Sequence, residues 1–265
     1  METLAVKPAI KVAALCGSLR KGSFNRGLLR SAIQLSKESV NGMEIEYLDI
    51  SPLPMLNTDL EVNGTFPPVV EAFRQKILQA DSVLFASPEY NFSVTGPLKN
   101  AIDWASRPPN CWADKAAAIV SAGGSFGGGR AQYHLRQIGV YLDLHFINKP
   151  EFYLNAFAPP AKFDSDGNLI DPPSKERLKE VLLSLLAFTL RLKGRGPHLR
   201  RLFWGYRCKT PQAINGHFSK RKLNCSTFSL RENGGCSMAH RFCEDRNSLA
   251  VNRFTGPRST RPCSK

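Results

Sequence analysis

Cysteine is scarce over the first 194 residues of this chain. Only Cys16 and Cys111 occur there, too few for a disulfide framework and suited to a reducing compartment. Long apolar runs are missing as well. No window approaches the roughly 18 consecutive apolar residues of a membrane-spanning helix. Residues 1–11 carry two lysines and a proline without the apolar stretch of a secretory signal. These absences predict a soluble, cytoplasmic protein with no membrane partner. Acidic residues are nearly absent from one end: residues 195–265 hold 3 Asp/Glu against 15 Lys/Arg, net +12, whereas residues 1–194 hold 19 against 21, net +2. The overall charge of +14, which alone would suggest nucleic acid, therefore belongs to the last 71 residues. With 265 residues, 42% hydrophobic and 22% charged, the chain is long enough for a sizeable globular core.

What is present first is an alternation. Short apolar runs predict strands at residues 10–15, 43–48, 82–86, 116–120 and 146–154, the last interrupted at Pro150. Between and after them, helical spacing predicts helices at residues 24–37, 69–80, 96–106, 128–142 and 174–192. Leu28, Leu29 and Ala32 mark the buried stripe of the first, and Val70, Phe73, Ile77 and Leu78 that of the second. Leu178, Val181, Leu182, Leu185, Leu186 and Leu190 mark that of the last. Five strand–helix units predict an α/β, flavodoxin-like three-layer sandwich with a five-stranded parallel sheet in the order 2-1-3-4-5. This places one domain at residues 1–194 and leaves residues 195–265 as a separate tail.

Three polar loops follow strands and precede helices. They are Cys16-Gly17-Ser18-Leu19-Arg20-Lys21-Gly22-Ser23-Phe24-Asn25, Ser87-Pro88-Glu89-Tyr90-Asn91, and Ser121-Ala122-Gly123-Gly124-Ser125-Phe126-Gly127. Loops at the carboxyl ends of parallel strands converge where open α/β sheets bind ligands. The first suits a phosphate: helix N-terminal amides, Ser18, Ser23 and Asn25 as donors, and Arg20 as a charge-assisted contact. It fits neither Gly-x4-Gly-Lys-Ser/Thr nor Gly-x-Gly-x-x-Gly, which disfavours an NTPase or a dinucleotide fold. Read alone, it is also an ordinary turn with Ser and Asn caps. In the second loop Tyr90 can stack on a conjugated ring, while Glu89 also reads as a helix-start acid. The third is free of Cβ atoms over much of its length and admits a flat ligand, although many glycine-rich loops are merely flexible. Together the three argue for a flavin.

These motifs, with Ser-Pro-Glu-Tyr-Asn-x-Ser-x-x-Gly-x-Leu-Lys-Asn-Ala-Ile-Asp-Trp running on from the second loop, resemble the NADPH-dependent FMN reductase family over residues 8 to about 193. The likeness is strongest to its plant-type quinone-reducing branch and extends to bacterial quinone, chromate and azo reductases. It implies that Ser18, Arg20, Ser23 and Asn25 hold the FMN phosphate. Pro88, Glu89, Tyr90 and Asn91 would line the isoalloxazine ring, and Ser121, Gly124 and Ser125 would approach its opposite edge. It further implies NADPH (or NADH) as hydride donor and two-electron reduction of quinones to hydroquinones, ping-pong in order and detoxifying in role. The chemistry would run at flavin N5 with Tyr90 covering the ring, no catalytic side chain and no metal. A homo-oligomer, dimer or tetramer, is implied, with Arg130, Tyr133 and Glu151 as contacts near Tyr90 of a neighbouring chain; a solvated helix face explains these three equally well. Structural roles are expected for His134, His145 and Cys16; Cys111 could be exposed and oxidisable, although nothing in its surroundings argues for activation.

Other readings stay open at this stage: a broad azo, chromate or nitro reductase, a flavodoxin-like electron carrier, or a redox-responsive binding protein. Such carriers tend to be acidic, and this core is slightly basic. The tail lacks any sustained apolar period and is rich in breakers and charge, which predicts disorder. His198, Cys208, Cys225, Cys236, His240 and Cys243 invite a zinc reading, but successive cysteine gaps from Cys208 to Cys263 of 17, 11, 7 and 20 match no finger. A basic tail could bind RNA or anionic lipid by charge alone; without repeats, nucleic acid is not expected as a partner. Because the resemblance stops near Lys193, an alternative or mispredicted C-terminus is expected.

Overall fold

Strands buried on both faces carry near-continuous apolar sequence, and three runs of this chain do. In the computed structural model, which describes residues 10–194, they form the centre of the sheet. These are β1 (Ile10–Cys16), β3 (Ser82–Ala86) and β4 (Lys115–Gly123). The remaining strands are β2 (Met43–Leu48), β5 (Leu144–Phe146) and β6 (Phe152–Asn155). All pairings are parallel and the order is β2-β1-β3-β4-β5, as the alternation predicts. On β2, at the edge, buried and exposed positions largely alternate. The fifth position differs in detail. It is two short strands, β5 beside residues 115–117 of β4 and β6 beside residues 120–123. Pro150 has no N–H to give to the ladder, and the chain leaves the sheet around it. The expectations for residues 1–9 and for 195–265 (signal, tail disorder, zinc, nucleic acid) lie outside the described residues.

Helices cover both faces. α1 (Phe24–Glu38) and α5 (Pro172–Gly194) share one core with Val12, Ala14, Leu84 and Val120. α2 (Pro68–Gln79), α3 (Gly96–Ser106) and α4 (Gly129–Leu142) share the other with Ala13, Leu15, Phe85 and Ile119. Fully burying residues such as Leu28 and Leu182 stabilises the fold by about 1.5–3 kcal/mol each. Not every periodic position is inside: Leu78 and Leu190 lie on exposed flanks of their helices. α5 begins two residues earlier than expected because the Asp171 carboxylate accepts the Ser174 N–H at 2.9 Å and caps it. Cys111 corrects another expectation. It is 2% exposed inside the second core, and burial pushes its thiol pKa up, so it is neither exposed nor primed for oxidation.

One buried charge organises the segment between α3 and β4. Arg74 is 2% exposed, and its guanidinium donates to Trp104 O (2.8 Å), Arg107 O (2.9 Å) and Pro109 O (3.0 Å). Its face lies 4.0 Å from the Phe66 ring. Arg74→Ala is expected to cost about 2–4 kcal/mol, because these carbonyls lose their donor. Arg74→Lys is expected to recover little, since an ammonium has no planar fork. Urea denaturation of the variants checks both.

Candidate functional site

The first loop is built from the end of β1 outward. Gly17 N–H donates to Ala86 O at 2.8 Å and the Thr95 hydroxyl donates to Gly17 O at 2.6 Å, so β1, β3 and the start of α3 fix the loop's entry. The chain then turns, with Ser23 N–H donating to Arg20 O at 3.3 Å, and α1 starts at Phe24. Ser23 occupies the cap position in an extended conformation, yet its hydroxyl does not cap the helix. The first N–H groups of a helix have no intrahelical acceptor. Here they face the loop uncapped, at the positive end of the dipole. Arg20 is exposed and its guanidinium donates to Gly22 O at 3.0 Å, which keeps the charge at the loop.

Asn25 does something the sequence reading did not assign to it. Its amide donates to Ala122 O at 2.8 Å and its carbonyl accepts Ala122 N–H at 2.9 Å. The side chain, 2% exposed, therefore clamps the first loop to the third while still lining the cavity.

The third loop rests on a buried polar network. The Ser121 hydroxyl donates to Gly127 O at 2.6 Å and accepts from the Gln132 amide at 2.7 Å, which also donates to Phe152 O at 2.7 Å. Gly128 closes the loop at φ +88°, where a Cβ would lie 2.8 Å from that of Ser121. The second loop is joined to it by Glu89. The Glu89 carboxylate accepts the N–H groups of Arg130 (2.9 Å) and Ala131 (3.2 Å) at the start of α4 and pairs with the Arg130 guanidinium at 3.2 Å. Glu89 is thus a helix-start acid, supplied to α4 from another element.

Between the three loops lies a cavity of about 390 Å3, a size suited to a small ligand. Ser18, Arg20, Ser23, Asn25, Pro88, Glu89, Tyr90, Gly124 and Ser125 all line it. Asn91 and Ser121 do not. Asn91 is at the exposed tip of a two-residue turn, with φ +51° there and +62° at Phe92, whose ends Tyr90 and Ser93 exchange backbone hydrogen bonds. Ser121 is wholly buried beneath the loop and acts by holding Gly127. Phe126, Arg130 and Phe157 also line the cavity and were not expected there. Phe126 stood inside the quoted motif, whereas Phe157 arrives on the loop after β6 without any local signal. Gln132 carried one: it is the polar position in the buried stripe 132, 135, 139, 142 of α4.

Arg130 lies with its guanidinium 4.0 Å from the Phe92 ring and 3.6 Å from that of Phe126, and its acid partner is Glu89. Tyr133 is 62% exposed; Glu151 pairs with Lys149 and accepts from the Tyr153 hydroxyl. His134 meets the Ser93 hydroxyl and His145 meets Asp114. Cys16 is buried below the first loop and burial raises its thiol pKa, so it packs and does not react. Among the described residues no group of three His, Cys, Asp or Glu is placed to hold a metal ion, and no helix is long and apolar enough to cross a membrane.

The family model described as NADPH-dependent FMN reductase matches residues 10–159. The chain is 78% identical over 191 residues to the NADPH:quinone oxidoreductase of Arabidopsis thaliana, covering 72% of this chain and 97% of the relative. It is 41% identical over 187 residues to the quinone reductase of Escherichia coli K12, covering 69% and 97%. Among solved structures it resembles FerB, a flavoenzyme NAD(P)H:(acceptor) oxidoreductase of Paracoccus denitrificans. That match has a TM-score of 0.58 and 32% identity, and covers 71% of this chain and 99% of that one.

The clamp yields a direct test. Asn25→Ala leaves the Ala122 N–H and carbonyl without partners and is expected to lower unfolding free energy by about 1–3 kcal/mol. Asn25→Asp is expected to cost more, because a carboxylate faces the Ala122 carbonyl. Urea titration followed by tryptophan fluorescence measures both.

Proposed function

The chain belongs to the NADPH-dependent FMN reductase family, and on that premise we propose that it is an FMN-dependent NAD(P)H:quinone oxidoreductase, with the activity residing in residues 1–194. One observation carries the proposal. The uncapped N-terminus of α1 and the Cβ-poor third loop converge on one cavity whose mouth is rimmed by Tyr90, Phe126 and Phe157. The residues present fit FMN. Helix amides, Ser18, Ser23 and Arg20 form a donor set for a phosphate, and Gly124, with open space where a Cβ would be, leaves room for a ring beside backbone N–H groups.

FMN, when held here, would supply the redox chemistry: hydride acceptance from NADPH or NADH and two-electron, two-proton reduction of a quinone, the second proton coming from solvent. The chain's own work is binding and orientation. Ser18, Arg20, Ser23 and the α1 amides hold the phosphate, with Asn25 acting through Ala122. Pro88, Glu89 and Tyr90 bound one side of the ring, and Gly124 and Ser125 present backbone at its other edge. Ser121 and Asn91 act at one remove, by positioning the third and second loops. Tyr90, Phe126 and Phe157 are 58%, 59% and 73% exposed, and they offer aromatic surface on which a nicotinamide and then a quinone would stack. One aromatic rim offered to both substrates would make them bind in turn, a ping-pong order. Delivering both electrons together gives the hydroquinone directly, which supports a detoxifying role. Cys16 and Cys111 are free thiols, and we propose the cytoplasm as the compartment.

We further propose a homo-oligomer, dimer or tetramer, using Arg130, Tyr133 and Glu151. Its support is α4, whose outer face leaves Tyr133, Val140 and Tyr141 at 62%, 82% and 87% exposure. A helix that keeps large apolar groups outward is suited to a partner, and a second copy is the one the cell supplies in equal amount.

The purified protein is expected to be yellow, to bleach on anaerobic addition of NADPH and to regain colour with a benzoquinone. Protein that neither carries nor takes up FMN would sink the assignment. Flavoprotein that stays oxidised with NADPH and NADH would point instead to an electron carrier. Light scattering is expected to give a mass of two or four chains, reduced by Tyr133→Glu combined with Tyr141→Glu; a monomeric wild type would refute the assembly.

A further inference from the structure

The first loop is braced from behind by a turn outside the cavity. Between β6 and α5, Phe163 and Leu169 pair as an antiparallel bridge and are 8% and 2% exposed, anchored in the core that α1 covers. The residues between them are tied by Asp164. Its carboxylate accepts the backbone N–H of Asn168 (2.7 Å) and Asp166 (3.0 Å) and the Asn168 side-chain amide (2.9 Å). The Asp164 N–H donates to Asn168 O at 3.0 Å, and Gly167 N–H to Asp164 O at 3.1 Å. None of the residues at 164–168 lines the cavity.

This turn meets the first loop backbone to backbone. Gly167 has φ +77°, and a Cβ there would lie 2.6 Å from Gly22 O and 2.9 Å from Gly22 C. In the other direction, a Cβ on Gly27 of α1 would lie 1.8 Å from Gly167 O. Neither contact ends on a flexible side chain, so neither side can yield cheaply. Arg30 crosses the same seam: Nε donates to Asn168 Oδ1 at 2.7 Å, Nη2 to Asp166 O at 3.1 Å, and Nη1 reaches Lys21 O at 3.5 Å. Gly22 is therefore packed against a turn that does not line the cavity, and Arg30, bonded to that turn, also reaches Lys21.

We propose that the turn at residues 164–168, with Gly167 at its contact point, is a positioning element that sets phosphate recognition and so selects FMN over unphosphorylated riboflavin. The proposal rests on the reading of the cavity as an FMN site. Its physical basis is the geometry of charge-assisted hydrogen bonds, several of which must reach one phosphate at once. A shift of a few tenths of an ångström in Gly22 and Ser23 misaims them together. The ring contacts are assigned to the second and third loops, which share no hydrogen bond with residues 164–168 and feel the turn only through the Asn25 clamp, so riboflavin binding is expected to change far less than FMN binding.

The test compares two flavins on the full-length protein stripped of flavin, using quenching of flavin fluorescence. Wild type is expected to bind FMN more tightly than riboflavin. Gly167→Ala is expected to weaken FMN by about tenfold or more, roughly the loss of one charge-assisted bond, and to leave riboflavin within about twofold. Asn168→Ala, which removes the Arg30 Nε bond and the side-chain bond to Asp164 without adding a Cβ against Gly22, is expected to shift the FMN-to-riboflavin ratio the same way by about threefold, and decides the matter if Gly167→Ala does not fold. Equal weakening of both flavins, or no change in either, overturns the proposal while leaving the FMN site standing. Wild type that takes up neither flavin overturns the cavity reading, and the proposal with it.

Discussion

Two hydrogen bonds from one side chain hold the candidate site together. Asn25 is in the first turn of α1 and Ala122 is near the end of β4, ninety-seven residues away in sequence, and the carboxamide satisfies both backbone groups of Ala122. The amides at the start of α1 and the glycine loop after β4 are thereby set in one frame. The other ties join each loop to a neighbouring strand, helix or turn, whereas this one joins the two loops to each other. A dinucleotide-sized or flavin-sized ligand must touch both loops simultaneously, so their relative placement matters more than any single contact. Buried and doubly bonded, the clamp costs little to maintain and much to break.

The same logic repeats outward. Thr95 ties the first loop to α3, Ser121 and Gln132 tie the third loop to β6, and Glu89 ties the second loop to the N-terminus of α4. Each of these polar groups is spent on backbone, and none is left in the manner of a nucleophile beside its base. Cys16, the nucleophilic type closest in sequence to the first loop, is held neutral by burial. That arrangement is in keeping with the proposal that the chain supplies placement and electrostatics to a bound flavin.

The sheet order, the identity of every helix and the three loops were legible because apolar periodicity and glycine placement report backbone geometry directly. Strand and helix limits fell within a few residues for the same reason. Pro150 even announced the break between β5 and β6. What could not be read were long-range partners. Ser121 and Asn91 belong to the right loops, but one points beneath its loop and the other out from a turn tip, and a motif does not state direction. The clamp role of Asn25 was not legible because its partner, Ala122, offers only backbone, which has no sequence signature. Phe157 comes to the cavity from a loop defined by β6 and the turn beyond it. Cys111 looked exposed beside two prolines, yet the Arg74 guanidinium gathers that segment into the core.

The two ends of the cavity differ in kind, and the difference bears on which molecule stays and which exchanges. At the α1 end, Ser18, Ser23 and Asn25 are 7%, 5% and 2% exposed, and the turn at residues 164–168 stiffens the backbone from outside. At the mouth the aromatics are more than half exposed, and Phe92 adopts φ +62°, a conformation costing about 1–3 kcal/mol for such a residue. Arg130, lying against both Phe92 and Phe126 and held by Glu89, offsets part of that cost by cation–π attraction of about 0.5–1 kcal/mol per ring. Rigid, buried and polar at one end, open and aromatic at the other, the site suits a resident ligand anchored by its phosphate. Flat partners could then come and go over its exposed face.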